Sequence, residues 1–208
     1  MALRIAELKK TDYKKAIQYA IKGMHFEWYL KNKFLLNCYG RYFWYLEMNR
    51  ATEILAVYDE DNLAGVMLAE MYGETPKHSS FVEKLYVRFI DFVQRTFFKG
   101  GADVYEETTK KLLSAYKENH KPDGEIIFLA ADPDIKIKGI GSKLLDVFEN
   151  GKNGETVFLH TDNACSYQFY EKRGFERVLQ KNIVLDMQTH KVPLECYLYS
   201  KTINELKE

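Results

Sequence analysis

The sequence predicts an α/β protein with a mixed sheet, and three observations support this class. Two strand patterns, Glu53–Tyr58 and Leu63–Glu70, flank a polar turn and predict a hairpin in the middle of a sheet. A helical period follows between Ser79 and His120. The apolar run Glu125–Ala131 then leads through glycines into a helix. Strands and helices in this order form a sheet that is covered by helices.

The elements before the hairpin follow the same patterns. Leu3–Leu8 alternates apolar and polar side chains, as a strand does, and a helix is predicted from about Tyr13 to Lys22. Met24–Asn49 is dense in aromatic residues. We expect this aromatic segment to pack as helix on the sheet, because aromatic side chains bury a large apolar area. The functional alternative is that the aromatic side chains of this segment surround a substrate amine.

The elements after the hairpin include a helical insert at about residues 74–122. Gly100-Gly101 separates two apolar stripes, so two helices are predicted. The first stripe contains Phe81, Leu85, Phe89, Phe92 and Val93, and the second contains Val104, Leu112, Leu113 and Tyr116. No repeat or low-complexity linker is present, and a single domain over residues 1–208 is expected. The last predicted elements are a strand at Thr156–His160, a helix at Asn163–Lys172 and a strand pair at Glu176–Met187 and Glu195–Thr202.

Composition excludes several classes of protein. Acidic and basic residues number 30 each, so no overall field attracts nucleic acid or a membrane surface. No signal peptide and no apolar run near the ~20 residues of a membrane-spanning helix is found, and a cytoplasmic protein is expected. The three cysteines and five histidines are scattered, so we expect reduced thiols and no metal site.

The segment Lys136–Leu145 carries the first functional signal. It follows a predicted strand, and Gly139 and Gly141 turn the chain into a helix that contains Leu144 and Leu145. A turn of this kind directs backbone N–H groups at a phosphate. A lone Gly-x-Gly is also compatible with an ordinary helix start, so a second signal is needed.

The second signal makes the chain resemble the GNAT superfamily of N-acetyltransferases. Lys136-x-Lys138-Gly139-x-Gly141 is similar to that superfamily's coenzyme A (CoA) loop, Arg/Gln-x-x-Gly-x-Gly/Ala. Asn163-x-x-Ser166-x-x-Phe169-Tyr170-x-Lys172-x-Gly174-Phe175 is similar to its next block, Asn-x-x-Ala-x-x-Leu-Tyr-x-Lys-x-Gly-Phe, with every spacing kept. The order and separation of the two blocks make the resemblance specific. It covers about Glu125–Val178, and the insert has no counterpart in the minimal fold.

The loop departs from the superfamily's pattern at two positions. Lys136 replaces the usual Arg or Gln and would donate to phosphate as a point charge, without a planar fork. Ile137 stands where Gly is frequent, which is tolerable if its φ stays negative.

The resemblance implies a mixed, mostly antiparallel central sheet flanked by helices, with a two-helix insert before the cofactor-binding strand. It also implies acetyl-CoA as a co-substrate, and no metal. A backbone N–H near Ala131 would polarise the acetyl carbonyl, and Asn163 would bond the pantetheine arm. The implied CoA-binding residues are Ala130, Ala131, Lys136, Ile137, Lys138, Gly139, Ile140, Gly141, Ser142, Lys143, Asn163 and Tyr170.

Two residues are candidates for proton transfer. Tyr170 matches the superfamily's tyrosine that protonates the departing thiolate; a structural aromatic residue is the alternative. Glu70, at the end of the hairpin, is the candidate base, with a solvated carboxylate as the alternative. Asp132 and Glu83 are lesser candidates, and ordered waters would serve if no side-chain base exists.

We therefore expect an N-acetyltransferase that moves an acetyl group from acetyl-CoA to a primary amine of a small molecule, by direct attack in a ternary complex. A non-catalytic acyl-CoA-binding sensor or interaction module of the same fold is the alternative. A binding protein unrelated to CoA is disfavoured by the joint spacing of the two blocks. The acyl chain length and a homodimer, which is frequent in this superfamily, are left open.

Overall fold

The computed structural model describes residues 3–97, 101–186 and 191–204. The strands formed by these residues are β1 (Arg4–Ala6), β2 (Glu53–Asp59), β3 (Asn62–Met71), β4 (Gly124–Ala131), β5 (Thr156–Asp162), β6 (Glu176–Asp186) and β7 (Lys191–Thr202). Their helices are α1 (Tyr13–Gly23), α2 (Phe26–Tyr29), α3 (Lys33–Met48), α4 (Phe81–Phe97), α5 (Gly101–Lys117), α6 (Ile140–Glu149) and α7 (Gln168–Lys172). A 3-10 turn at Lys10–Asp12 precedes α1.

The described residues form two compact units. One lies within Met1–Asp91 and Ile126–Lys152, and the other within Phe92–Glu125 and Asn153–Glu208. The strand order is β1-β2-β3-β4 in the first unit and β4-β5-β7-β6 in the second, to which β4 contributes its first two residues. The β1–β2, β2–β3, β5–β7 and β6–β7 pairs are antiparallel and β4–β5 is parallel. The predicted class, a mixed and mostly antiparallel sheet flanked by helices, is confirmed.

The core of the first unit lies between the β2–β3 hairpin and helices α1 and α3. Trp44 is fully buried, and its ring lies edge-on to Phe128 of β4 with centroids 6.4 Å apart. Gly40 allows α3 to approach α1 closely, because a Cβ there would lie 2.6 Å from Ile21 Cγ1. The expected packing of the aromatic segment is confirmed for Trp44 and Phe26, which are both buried.

The core of the second unit lies between α5 and strands β6 and β7. The hydroxyls of Tyr116 and Ser200 are buried and 2.6 Å apart. The Tyr116 ring also packs against Phe158 of β5, with centroids 6.1 Å apart. A buried hydroxyl pair satisfies both polar groups, so Tyr116 can fill this core without an unpaired oxygen.

Four of the five residues of the apolar stripe predicted on α4 are exposed, and Val93 is half-buried. Phe81, Leu85, Phe89 and Phe92 are 78%, 56%, 61% and 66% accessible. The helix instead packs through other positions: Val87 is buried, and the Tyr86 hydroxyl donates to the Cys38 carbonyl at 3.0 Å. The stripe therefore does not add to the core. In the described part of the chain, no helix has the length and apolar content to cross a membrane.

The predicted helix at Asn163–Lys172 is too long. The structure begins α7 only at Gln168. Asp162 Oδ1 accepts the N–H groups of Ala164 at 2.9 Å and Cys165 at 3.2 Å. This side-chain turn competes with helical hydrogen bonds. The structure also begins β7 at Lys191, before the predicted Glu195. The predicted boundary residues Gly100 and Met187 lie outside the described residues.

Candidate functional site

The glycine loop, Lys136–Gly141, connects β4 to α6 in the first unit. Gly139 is the N-cap residue of α6 with a φ of +86°, and no side chain caps the helix. That left-handed conformation suits a residue without Cβ. The backbone N–H groups of residues 136–142 make no hydrogen bond to another described residue. Unpaired N–H groups at a helix N-terminus form an anion-binding site.

Three lysines place positive charge at the same helix end. Lys136 and Lys138 are exposed and make no ion pair with a described residue. Lys143, in the first turn of α6, donates through Nζ to the Leu3 carbonyl. That turn contains no acidic side chain. Cations are unfavourable beside the positive end of a helix dipole, so an anion bound there would relieve the repulsion.

The two departures of the glycine loop from the superfamily pattern are accommodated. Among the described non-glycine residues, positive φ is confined to His25 and Glu60, so Ile137 keeps a negative φ. Its backbone N–H is therefore oriented without strain. Lys136 is exposed, and its ammonium group can reach a phosphate in solvent.

Gly65 of β3 lies against the start of α6, and no sequence pattern singles it out. A Cβ at Gly65 would come within 2.4 Å of Ile140 Cγ2 and 3.1 Å of the Ala130 carbonyl oxygen. Only a residue without a side chain permits this approach of β3 to β4 and α6. The contact is visible only in the fold, because Gly65 and Ile140 are far apart in sequence.

The C-terminal end of β4 contains two of the residues predicted to bind CoA. Ala131 is exposed and Ala130 half-buried. Backbone groups of an exposed strand end can act as donors and acceptors for an extended ligand that is added as a strand. The cofactor contacts of Ala130 and Ala131 stay predictions.

Glu70 is engaged in an ion pair. Its Oε2 lies 2.6 Å from Arg50 Nη1, and the side chain is 30% exposed. Arg50 also binds Glu47 through Nε. The Ala64 carbonyl of β3 accepts the N–H of Asp132, the first residue of the connection from β4 to the glycine loop. Glu70 lies about 20 Å along β3 from Ala64. Protonation of Glu70 would weaken its charge-assisted hydrogen bond to Arg50, so this contact opposes a role as proton acceptor.

The lesser base candidates are also engaged. Glu83 Oε2 lies 2.7 Å from His78 Nε2 and accepts from Asn49 Nδ2 at 3.0 Å. Asp132 is buried and paired with Lys15 at 2.8 Å. Neither carboxylate is free to act on a substrate without losing these contacts.

Tyr170 belongs to the second unit, on α7. Its ring packs against Phe169, Phe175 and Tyr199, with centroids 5.2, 5.8 and 6.5 Å apart. Its hydroxyl makes no hydrogen bond to another described residue. Burial, and next the Cys165 thiol, raise the pKa of Tyr170 above its ordinary value. The phenol therefore stays protonated at neutral pH and is available as a donor.

Two further contacts orient this region of the second unit. Glu171 of α7 accepts from the Tyr199 hydroxyl at 2.6 Å and from Arg177 Nη2 at 2.8 Å. Asn163 Oδ1 accepts the backbone N–H of Glu195 at 3.0 Å. The amide oxygen of Asn163 is thus used within the unit, and its NH₂ group is the part that could serve a ligand. Its role stays a prediction.

The structure divides the predicted site residues. The glycine loop, Lys143, Ala130, Ala131 and Glu70 lie in the first unit, whereas Asn163 and Tyr170 lie in the second. Within the first unit, the loop lies at one end of β3, and Glu70 lies toward the other end.

Comparison with known proteins gives one family match. Residues 111–175 match the model of the acetyltransferase (GNAT) family, and this segment contains both blocks on which the resemblance depends. A search of curated protein sequences finds no match.

Solved structures show the same fold. An acetyltransferase from Corynebacterium glutamicum, described as histone acetyltransferase HPA2 and related acetyltransferase, has a TM-score of 0.57 at 14% identity, with 100% of both chains covered. The ribosomal-protein-S18-alanine N-acetyltransferase of Escherichia coli has a TM-score of 0.52 at 13% identity, with 100% of this chain and 97% of that chain covered. An agmatine N-acetyltransferase has a TM-score of 0.55 at 10% identity, with 96% and 99% covered. The similarity extends over nearly the whole chain.

Proposed function

We propose that this chain is a GNAT acetyltransferase that transfers an acetyl group from acetyl-CoA to a primary amine of a small molecule. The family match of residues 111–175 and the shared fold support the proposal. The observation that carries the proposal is the glycine loop, where unpaired N–H groups and lysines meet at the N-terminus of α6. That arrangement fits the pyrophosphate of CoA.

The chain supplies groups for each requirement of this reaction. An alkylamine with a pKa near ~10.4 is almost wholly protonated at pH 7, so a proton acceptor is needed. We assign this role to Glu70 acting through a chain of waters, because Glu70 lies about 20 Å along β3 from Ala64, or to water alone if Glu70 stays bound to Arg50. The departing thiolate needs a proton, which we assign to the Tyr170 hydroxyl. A backbone N–H near Ala131 would polarise the carbonyl of the acyl group supplied by acetyl-CoA.

The class of acceptor is proposed on two grounds. The structural neighbours are described as acting on a protein alanine in one case and on agmatine in another, so the fold accommodates both classes. The helices α4 and α5 occupy the predicted insert, and helical lids commonly close over small substrates. We favour a small amine for this reason, by direct attack in a ternary complex.

The first test is calorimetric titration with acetyl-CoA. We expect a micromolar dissociation constant, with weaker binding of adenosine diphosphate because it lacks the pantetheine arm. Dephospho-CoA serves as a second control and reports the contribution of the 3′-phosphate. An absence of binding at millimolar acetyl-CoA would contradict the proposed function.

The role of Glu70 has a separate test. Glu70→Gln should lower the rate of acetyl transfer by roughly 100-fold and remove the acidic limb of the pH–rate profile if this carboxylate is the base. Glu47→Gln is the matched control, because it also removes a carboxylate from Arg50. If the two variants have the same profile as the wild-type protein, Glu70 has only a structural role.

The ion pair of Glu70 also favours a second candidate function. Glu70 is bound to Arg50 and is therefore not a free base. A non-catalytic acyl-CoA sensor needs no base, so the ion pair is compatible with that function. Release of free thiol that depends on an added amine separates the two functions. A sensor would bind acetyl-CoA with the same affinity but release no thiol when amines are screened.

A further inference from the structure

Asp132 is the first residue after β4 on the way to the glycine loop, and it is almost fully buried, at 8% exposure. Its backbone N–H donates to the Ala64 carbonyl of β3 at 2.7 Å. Its Oδ1 accepts the N–H of Asp134 at 3.0 Å. Both contacts fix the path of the chain just before Lys136.

Two side chains of α1 bind the other carboxylate oxygen. The Tyr19 hydroxyl lies 2.7 Å and Lys15 Nζ 2.8 Å from Asp132 Oδ2. Residues 15 and 19 are one helical turn apart, so both reach the same point. The same two groups lie 2.7 Å and 2.8 Å from the Leu63 carbonyl of β3. Three elements, α1, β3 and the connection to the loop, therefore meet at Asp132.

The charge on Asp132 depends on these partners. Burial opposes ionisation, but Lys15, the Asp134 N–H and Tyr19 together lower the pKa of Asp132 below its ordinary value. Burial, followed by the hydrogen bond to Asp132, raises the pKa of Tyr19. The pair is thus a carboxylate and a neutral phenol over the physiological range. Removing one partner of a buried charge leaves the other uncompensated, and the local structure must move.

We propose that Lys15, Tyr19 and Asp132, here called the Asp132 cluster, are positioning residues that hold the glycine loop in its anion-binding conformation. The inference rests on the proposed function, because it takes the loop to bind the CoA pyrophosphate. Only three residues separate Asp132 from Lys136, and Pro133 stiffens that stretch by fixing its φ. A shift of Asp132 therefore displaces the N–H groups of the loop, and a binding site that must be ordered by its ligand binds less tightly.

The test is a comparison of ligand fragments. Tyr19→Phe and Lys15→Met should each weaken binding of CoA and of adenosine diphosphate by about tenfold, because both ligands carry the pyrophosphate. Binding of pantetheine, which lacks it, should change less than about twofold. Calorimetry measures CoA, and ligand-observed NMR measures the weaker fragments. Equal losses for pantetheine and adenosine diphosphate, or unchanged binding of CoA, would overturn the inference.

Two variants act as controls for the Asp132 cluster. Lys22→Met removes an exposed ion pair to Asp134, 3.4 Å long, from the same helix to the same stretch, and it should bind CoA as the wild-type protein does. Lys15→Arg keeps the charge and the donors and should retain most of the affinity. Circular dichroism and thermal unfolding establish that each variant is folded.

The outcomes separate this inference from the proposed function. A wild-type protein that binds no CoA contradicts the proposed function. A wild-type protein that binds CoA, together with folded Tyr19→Phe and Lys15→Met variants that bind it equally well, contradicts only the positioning role.

The pKa of Asp132 in the folded protein is lower than its ordinary value of ~3.9. The charge of Asp132 therefore contributes its full stability at pH values above ~3.9, and this contribution is lost only as the pH falls through the lower folded pKa. The effect of the variants should therefore be the same at pH 5 and pH 8.

Discussion

A Gly139→Val variant should bind CoA roughly 30-fold more weakly than the wild-type protein, equivalent to about 2 kcal/mol. Gly139 has a φ of +86° at the N-cap of α6, where a β-branched residue is strained. Nothing lies within 4 Å of a Cβ added at this position, so a clash within the protein is not the cause. The strain is relieved by turning the loop, which misaligns its N–H groups. Calorimetric titration with CoA measures the loss.

Gly151→Val is the matched control for this prediction. Gly151 has a φ of +81°, and a Cβ there also meets nothing within 4 Å, but it follows the C-terminal end of α6, about 15 Å along the helix. Both variants should lose a similar free energy of unfolding, and only Gly139→Val should lose CoA affinity. Equal CoA affinity in the two variants would show that the glycine loop is not the phosphate site.

A Tyr170→Phe variant should lower kcat about 100-fold, the usual range for loss of a general acid. The affinity for CoA should stay within about twofold of the wild-type value. The variant should remain folded, because the hydroxyl makes no hydrogen bond to another described residue and the ring keeps its contacts with Phe169 and Phe175. Thiol release at saturating amine measures kcat, and calorimetry measures the affinity.

Tyr167→Phe provides the comparison for Tyr170. Tyr167 precedes α7, and its ring packs at 5.2 Å from Tyr197 within the same unit. Loss of its hydroxyl should leave kcat unchanged. A full rate in Tyr170→Phe, or the same loss in both variants, would remove the acid role of Tyr170 and assign the residue to packing.

The glycine loop could be predicted because its signal is local. A strand, two glycines and a helix in immediate succession already determine where the backbone N–H groups point, and Gly139 has the left-handed conformation that such a turn requires. The hairpin β2–β3 is local in the same sense, since a polar turn joins two largely apolar strands. The block Asn163–Phe175 was recognised by its spacing, although the Asp162 side chain shortens its helix.

The engagement of the charged residues could not be predicted from the sequence. Glu70 reads as a carboxylate at a strand end, but Arg50 lies 20 residues away in sequence and binds it. Asp132 reads as a loop residue before a proline, and its partner Tyr19 is 113 residues away. The apolar stripe of α4 predicts a helix face but contains no information on whether another element covers it.

Periodicity and turn residues thus determined the α/β class and the course of the chain from strand through glycines into helix, and motif spacing determined the resemblance to the GNAT superfamily, because each depends on neighbours along the chain. Only the tertiary structure shows that Ile140 packs against the backbone of Gly65 and that Lys15 and Tyr19 bind Asp132. It alone also shows that Phe81 and Phe89 are exposed. These properties depend on which distant segments meet. The free energy of a buried charge or an apolar side chain is set by those contacts and not by its own position in the sequence.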